Sequence, residues 1–285
     1  MAEMKRQRPG RLVWKRLSKS KTAMAGLVII TAIIFMAIFA DVIAPYAYDK
    51  PDYDAIFEYP SAEHWMGTDD LGRDIFSRVI YGTRVSLVIA LMSVTISITC
   101  GVALGVTAAY FGGAYETAVM RLLDGFMAIP SLLLAISISS ALGSGQLQTA
   151  IAIAISNIPT FARVSRASVM TVKESEFVEA ARSIGARSKR IMLKHILPNA
   201  LAPIFVQATL NIVNAILTIA MLSFIGLGIE PPTPEWGSML SQGRAYIRDF
   251  WPIVTFPGVM IMVTVISFNM LGDGLRDALD PRLKR

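Results

Sequence analysis

The chain has 285 residues, of which 54% are hydrophobic and 17% are charged, and its mean hydropathy is +0.53. Soluble globular domains use fewer apolar and more charged residues, so this composition excludes a soluble domain and indicates an integral membrane protein. The formal net charge of +6 needs no nucleic acid to explain it, because a basic cytoplasmic face in contact with anionic lipid accounts for the excess. Cys100 is the single cysteine, so this chain cannot build a disulfide or a CxxC site within itself.

Six stretches are candidate transmembrane helices, each of which needs about 20 largely apolar residues to cross about 30 Å of hydrocarbon. They are residues 23–44, 86–111, 118–142, 147–164, 200–227 and 253–271. The third and fourth contain polar or helix-breaking residues, which neighbouring protein or water must satisfy at membrane depth; these are Asp124, Pro130, Asn157 and Pro159. The first apolar run is too long for a signal peptide, so we expect a retained anchor.

The cations divide unequally between the two sides of this arrangement. The N-terminal segment, the loop near residue 121, the loop after the fourth span and the C-terminal tail hold 21 of the 27 Lys and Arg residues. The positive-inside rule therefore predicts that both termini are cytoplasmic. The predicted organisation is a basic cytoplasmic segment (1–22), a first span (23–44), an external loop (45–85), a five-helix core (86–271) that includes a cytoplasmic loop (165–199), and a cytoplasmic tail (272–285).

The loop after the fourth span has a helical pattern. From Lys173 to Arg182 the acids come early and the cation comes late, which suits a helix dipole. Gly185 is then expected to end this helix, and a second short basic helix is predicted over residues 186–196. Pro198 should stop that helix, because its ring disfavours helical continuation. The predicted product is a rigid, exposed helical elbow that a soluble partner can push.

Three elements of this loop stand at a spacing that is typical of one family. They are Glu179-Ala180-Ala181, Gly185, and Leu197-Pro198. The segment resembles the EAA loop of ABC-importer permease subunits, which fits into a cleft on the ATP-binding subunit. His195 departs from the family pattern, which usually has Ile at that position. A plain connecting helix is the competing interpretation of a polar loop, and a lone EAA would not argue against it.

Three further segments resemble the peptide and nickel branch of these permeases. Residues 64–84 match the pattern HxxGTDxxGRDxxSRxxYGxR of the subunit called the C-type permease. Residues 230–240 are similar to the external turn before the last span, where Trp236 could lie at the membrane interface, and residues 271–281 resemble the C-terminal signature. His64 with Asp69 and Asp70 could suggest a metal site, but such residues more often form turns and helix caps.

The predicted fifth span carries a polar stripe. Gln207, Asn211, Asn214 and Thr218 follow one another at offsets of four, three and four residues, so they share one helical face. This stripe could line a translocation pathway or could form hydrogen-bonded packing between helices, which contributes roughly 1 kcal/mol per contact. In the second span, Gly101 and Gly105 form a small-xxx-small pair that predicts a close helix contact.

The resemblance implies an all-α polytopic membrane protein with the type I ABC importer permease fold, six transmembrane helices and cytoplasmic EAA coupling helices. It also implies a heterodimer with a second permease, two ATPases, and an external binding protein that delivers dipeptides or oligopeptides by an alternating-access mechanism. The sequence contains no GxxxxGK[ST] phosphate loop and no Ser/His/Asp or His/Glu/His spacing placed for hydrolysis, so we expect no enzymatic site and no cofactor in this chain. With one cysteine, and with His64 and His195 expected on opposite sides of the membrane, we expect no metal site. ATP and Mg²⁺ would be bound by the partner ATPases.

Several alternatives stay open. The same machinery could import nickel, glutathione or another peptide-like solute. An ion-coupled secondary transporter would need a deeply placed acid, whereas Asp41, Asp124 and Asp273 are expected near span ends. A membrane-bound structural or sensory subunit would move no substrate.

Overall fold

The computed structural model of the chain describes residues 9–279, and most of this part is α-helical. Within these residues, extended backbone pairs only at an isolated bridge between Thr68 and Asp74, so the all-α prediction is confirmed. The helices are α1 (Pro9–Leu17), α2 (Lys21–Ile38), α3 (Ala40–Ile43), α4 (Ile75–Phe111), α5 (Gly113–Met127), α6 (Ser131–Leu142), α7 (Gln146–Lys173), α8 (Glu176–Ser183), α9 (Ser188–Arg190), a π turn (Ile191–Ile196), α10 (Leu197–Phe224), α11 (Trp236–Gly243), a 3-10 turn (Arg244–Tyr246) and α12 (Pro252–Leu279).

Four helices of the described region are long and apolar enough to cross a membrane: α2, α4, α12 and the continuous helix Ser188–Phe224. A fifth candidate is the pair α5 and α6, which is bent by 86° at a short break. Helix α7 has 28 residues and a length of about 42 Å, but its polar residues keep it outside this set. The chain therefore has several candidate spans, and the number six stays a prediction.

The ends of the long helices lie together at two opposite sides of the bundle. At one end Ala23 packs on Ala278, and the Lys173 amine donates hydrogen bonds to carbonyl oxygens at the last turn of α4. The start of α2 therefore lies beside the end of α12, and the ends of α4 and α7 meet on the same side of the bundle. We call this side the elbow end, because the predicted helical elbow follows α7. Towards the opposite end, Arg84 of α4 donates a hydrogen bond to the carbonyl oxygen of Ala37 in α2 at 2.7 Å.

Helices α4 and α7 pack closely at the centre of the bundle. A Cβ atom added to Gly101 would lie 2.5 Å from the Cβ of Phe161, and one added to Gly105 would overlap the carbonyl oxygen of Ala162. Only glycine lets the two backbones come this near. The predicted close contact at the small-xxx-small pair is therefore confirmed.

Helix α4 begins well before the predicted second span. Its first residue is Ile75, and Asp74 caps it by accepting the N–H of Ser77 on Oδ2 at 2.7 Å. The predicted external loop 45–85 is therefore helical from residue 75 onward. A hydropathy window detects only the apolar part of a helix, and the first turns of α4 include the buried polar residues Ser77, Arg78 and Thr83.

The segment before α4, residues 44–74, is fixed to that helix by buried ion pairs. Arg73 Nε lies 2.7 Å and Arg78 Nε lies 3.4 Å from the same Asp69 Oδ2 oxygen, and all three side chains are at most 6% exposed. His64 Nδ1 lies 3.0 Å from Oδ1 of Asp74. Among residues 9–279, no group of three His, Cys, Asp or Glu side chains could hold a metal ion. The motif of residues 64–84 therefore holds this segment against the start of α4.

Helix α11 packs on the same part of α4. Trp236 is fully buried and donates its indole N–H to the carbonyl oxygen of Val79 at 3.2 Å. Glu235 caps α11 by accepting the N–H groups of Gly237 and Ser238 at 2.9 Å, and it also accepts the hydroxyl of Ser86 at 3.1 Å. The indole fills the space that Gly82 leaves beside it, so protein surrounds Trp236, and its level relative to the membrane interface stays a prediction.

Candidate functional site: a helical elbow between two long helices

Helix α8 stands between α7 and the helix that continues into α10, and it forms the centre of an elbow that we define as residues 174–196. Glu176 and Glu179 lie in its first turn and Arg182 in its last, so the charges complement the helix dipole as predicted. The helix starts later than predicted, because Lys173 still belongs to α7 and Ser175 takes an extended N-cap conformation. The predicted loop 165–199 is therefore helical at both of its ends.

Gly185 ends α8 as predicted, and the geometry explains why glycine stands there. Its φ is +78°, in the left-handed region that residues with a Cβ avoid. Its N–H donates to the carbonyl oxygen of Arg182, and the N–H of Ala186 donates to that of Ala181. These two bonds form a Schellman motif, which satisfies carbonyl groups that the helix end would otherwise leave unpaired. A Cβ on Gly185 would meet no atom within 4 Å, so conformation and not space is the constraint.

The elbow is packed firmly against two long helices. Val178 and Ala181 turn inward from α8 and join a buried apolar cluster with Val106 of α4 and Val169 of α7. The π turn adds Ile191 and Ile196 to the same cluster. Because α8 has its own hydrophobic contacts with the ends of α4 and α7, a force on the elbow reaches both helices.

The prediction that Pro198 stops a helix is wrong. Helix continues from Ser188 to Phe224 through this residue, because the preceding turn is a π turn in which the N–H of Leu197 donates to the carbonyl oxygen of Met192, five residues earlier. A proline inside a regular helix loses one hydrogen bond and clashes with a carbonyl group. Because α10 begins at Leu197, Pro198 stands in the first turn of that helix, where the N–H that proline lacks would have had no regular helical partner.

Two cations, Lys173 at the end of α7 and Arg182 in the elbow, contact the end of α4. The Lys173 amine donates to the carbonyl oxygens of Ala109 and Tyr110 at 2.8 and 2.9 Å, and these groups would otherwise be unpaired at a helix end. Lys173 Nζ and the Arg182 guanidinium lie 5.9 and 5.8 Å from the ring centroid of Tyr110, within cation–π range. The sequence motifs gave no signal for Tyr110 or Lys173, since their contact joins positions 63 residues apart.

The outer face of the elbow mixes polar and apolar residues. Of the predicted coupling residues, Glu179, Ala180, Gly185 and Pro198 are exposed, Leu197 is partly buried and Ala181 is buried. Three apolar side chains that the motif does not mark are also exposed, namely Ile184 at 85%, Leu193 at 51% and Phe177 at 46%. An apolar side chain as open as Ile184 is a natural anchor for a partner pocket.

The predicted polar stripe lies on α10, but its members have different surroundings. Asn211 is buried, donates to the carbonyl oxygen of Gln207 at 3.0 Å, and its Oδ1 has no partner. Asn214 is exposed and Thr218 is partly exposed, while Gln207 lines a cleft of about 690 Å³ between α7, α10 and α12. The four residues therefore do not share one open face, and their role in a pathway stays a prediction.

Asp124 lies in the last turn of α5, and its Oδ1 accepts a hydrogen bond from Arg163 of α7 at 2.6 Å. The break after α5 replaces one straight third span by two shorter helices at a steep angle. The position of Asp124 near a span end stays a prediction.

Comparison with known proteins agrees with this architecture. Residues 101–285 match the family described as the binding-protein-dependent transport system inner membrane component, and residues 8–60 match the N-terminal transmembrane domain of oligopeptide transport permease C. The chain is 48% identical over 276 residues to the dipeptide transport system permease protein DppC of Alkalihalophilus pseudofirmus, covering 97% of this chain and 91% of that protein. It is 42% identical to the glutathione transport system permease protein GsiD of Pectobacterium atrosepticum, with 97% and 92% covered.

Solved structures share the fold at low sequence identity. An inward-facing structure of the MetNI methionine ABC transporter matches with a TM-score of 0.58 and 19% identity, covering 72% of this chain and 98% of that chain. A structure of an amino acid ABC transporter with histidines matches with a TM-score of 0.56 and 17% identity, covering 71% and 94%. At this identity the likeness concerns the fold alone.

Proposed function

This chain belongs to the family of binding-protein-dependent transport system inner membrane components and is a permease component of an ABC importer, and we propose that it forms half of an inner-membrane pathway for di- and oligopeptides. The other half would be a second, different permease. Two ATPases would supply ATP binding with Mg²⁺, and an extracytoplasmic binding protein would deliver the peptide. Both termini and the elbow face the cytoplasm in this proposal, because that side then carries most of the cations.

The observation that carries the proposal is the construction of the elbow. Its inner face is packed on α4 and α7, while its outer face leaves Glu179, Ala180 and Ile184 open to a partner. A displacement of α8 by an ATPase would therefore move the ends of two long helices together. To shift an inward/outward equilibrium from 1:99 to 99:1 takes about 5.5 kcal/mol of differential binding, which the ATPases would provide.

The substrate class rests on the relatives. Two proteins that are 48% and 46% identical to this chain are named as dipeptide and di/tripeptide permeases, and several that are 45% identical are named as glutathione permeases. Glutathione is itself a tripeptide with a free amine and free carboxylates. Short peptides with charged ends are therefore the substrate class that we propose, and glutathione is the alternative within it.

Reconstitution of the full importer tests this function. The chain, its partner permease and both ATPases are placed in proteoliposomes with binding protein, and uptake of radiolabelled dialanine is measured. We expect uptake that needs ATP and binding protein, and no ATP hydrolysis by the isolated chain. Glu179→Lys should abolish uptake, because it reverses a charge on the docking face of the elbow. Glu179→Asp is the matched control, since it keeps the negative charge in the first turn of α8 and should retain most of the uptake.

Three results would count against the proposal. Saturable ATP hydrolysis by the pure chain would contradict the assignment of ATP binding to partners. Uptake driven by an ion gradient without ATPases would indicate a secondary transporter. ATP-driven uptake of nickel but not of dialanine or glutathione would keep the machinery and overturn the substrate class.

A further inference from the structure

An ion pair inside the helical bundle is left half exposed by this chain. Arg163 of α7 donates from Nη2 to Oδ1 of Asp124 in α5 at 2.6 Å, and the two side chains are 47% and 43% exposed. Neither residue belongs to the elbow or to the motif of residues 64–84. The pair is thus a charged feature that the coupling function does not explain.

The pair lies some distance from the elbow end. Arg163 lies ten residues before Lys173, whose amine meets the end of α4, and this spacing corresponds to about 15 Å along α7. Half of the hydrocarbon layer is about 15 Å thick, so we take both charges to lie within the membrane.

Lipid is an unsuitable neighbour for the exposed half of this pair. Charged side chains at the bilayer centre are costly, and in membrane proteins they face the bundle interior or a water-filled cavity. The backbone beside the pair leads to the same conclusion. Helices α5 and α6 meet at 86° across residues 128–130, which are all exposed. Irregular backbone at this depth occurs only where protein covers it or water reaches it.

Helix α7 carries a polar face through the same place. Ser156, Thr160, Arg163, Ala167 and Thr171 follow at offsets of four, three, four and four residues, so they lie on one side of the helix. The first two are partly exposed and the other three are exposed. The opposite side of α7 is buried against α4 through Phe161 and Ala162. A stripe of mostly small and polar residues therefore runs along α7 past the ion pair and into the cleft that Ala167 and Thr171 line together with α10 and α12.

We propose that Asp124 and Arg163 line the translocation pathway and bind the charged ends of a peptide in transit. The peptide carboxylate would pair with the guanidinium, and the peptide ammonium would pair with the carboxylate of Asp124. Peptide binding would leave no charge unpaired within the membrane, because each side chain would exchange its partner in the ion pair for the oppositely charged end of the peptide. An extended di- or tripeptide is about 7 to 10 Å long, within reach of two side chains on neighbouring helices. The inference rests on the proposed peptide import and names the residues that would contact the cargo.

Removal of each charge in the reconstituted importer tests this role. Arg163→Gln and Asp124→Asn should each lower dialanine uptake at least about tenfold, the loss that follows removal of one charge-assisted hydrogen bond. Arg166→Gln is the matched control, because Arg166 also pairs α7 with α5 through Glu116. Arg166→Gln should lower dialanine uptake about threefold or less, the effect expected when a half-exposed ion pair is removed. Equal losses at Arg163 and Arg166 would mean that the pairs only hold the helices together, and the proposal would fall.

Cysteine labelling locates the pair independently of uptake. In a Cys100→Ser background, Thr160→Cys and Ala167→Cys should react with a charged, membrane-impermeant thiol reagent in at least one nucleotide state, whereas Val28→Cys, exposed at 64% on the apolar α2, should not. Saturating dialanine should slow the reaction at Thr160→Cys, and Arg163→Gln should remove this protection.

Each outcome of the labelling is decisive. Protection that depends on Arg163 supports the proposal. Labelling without protection would show a water path that lacks the peptide site, and no labelling in any state would place the face against lipid or the partner permease; both results overturn the inference. Dialanine uptake by the wild-type importer separates these failures from a failure of the proposed function, which would abolish that uptake as well.

Discussion

At the residue scale, the elbow depends on one glycine whose neighbours leave ample space. Because a Cβ on Gly185 would meet nothing within 4 Å, a substitution there acts only through its φ of +78°. Gly185→Val should cost about 1–3 kcal/mol of local backbone strain and reduce ATP-driven uptake about tenfold or more. Gly185→Asn should retain most of the uptake, since Asn tolerates the left-handed conformation at a helix end.

Uptake and membrane insertion of the two Gly185 variants are measured side by side. Both proteins should insert in equal amounts, because the substituted position lies in the elbow and outside the long apolar helices. If Val and Asn had the same effect on uptake, the left-handed conformation would not matter for coupling. Normal uptake by the Val variant would mean that the elbow is merely a connector.

The three residues of the EAA motif illustrate what a spacing does not reveal. Ala180 is exposed, whereas Ala181 is 6% exposed and packs in the cluster beneath α8. A motif treats these neighbours alike, but on a helix they point about 100° apart. Ala181→Leu should therefore disturb the packing of the elbow, and Ala180 belongs to the surface that a partner can touch.

At the element scale, Lys173 connects the end of α7 to the end of α4. Its amine pairs two carbonyl groups at the end of α4, and hydrogen bonds to a charged group contribute about 1.5–3 kcal/mol each when partly buried. Lys173→Met should therefore loosen this junction and speed amide hydrogen exchange in α8 severalfold. Uptake should fall because motion of the elbow no longer reaches α4 fully.

Hydrogen exchange followed by mass spectrometry gives the readout for this junction. Lys173→Arg is the control, since a guanidinium can still donate to both carbonyl groups. Unchanged exchange in α8 of the Met variant would show that the apolar cluster alone holds the elbow.

The π turn is the element that sequence reasoning could not anticipate. The pattern around Pro198 reads as a helix stop, and a π turn has no composition of its own that would argue otherwise. Its formation depends on the burial of Ile191 and Ile196 in the cluster with α4 and α7. These tertiary contacts stabilise a helix that continues through a proline.

At the scale of the whole molecule, the arrangement of helix ends predicts a topology. Leu17 and Ala278 pack together at the end where the elbow lies, and residues 44–74 and α11 lie at the other. Reporter fusions after Leu17 and Lys189 should therefore read on one side, and fusions after Asp54 and Gln242 on the opposite side. The positive-inside rule makes the first side cytoplasmic.

Paired phosphatase and fluorescent-protein reporters measure this topology at each fusion point. An external signal at Lys189 would contradict both the orientation and ATPase docking at the elbow. Opposite signals at Leu17 and Lys189 would contradict the packing of the helix ends itself. The C-terminal fusion point, Arg285, lies outside the described residues and is expected to be cytoplasmic from the charge count alone.

The sequence by itself determined the class of protein, the helical character of the chain and the place of the elbow. These properties are local: apolar runs must be helical in lipid because the backbone has no water to bond with, and a glycine after a short amphipathic helix ends it within a few residues. The EAA spacing and the residues 64–84 motif are also read along the chain, so the family could be recognised before any contact was known.

Only the tertiary structure decided the start of α4, the break between α5 and α6, the burial of Trp236 and the pairing of Asp124 with Arg163. The last two depend on atoms that approach from another part of the chain, 39 residues away for the ion pair and 157 residues away for the indole. Local hydropathy cannot tell whether a polar side chain at membrane depth will meet lipid, water or an opposite charge. The packing of α4, α5 and α7 decides which of these neighbours it meets, because that packing fixes which helix faces are buried by protein and which stay exposed.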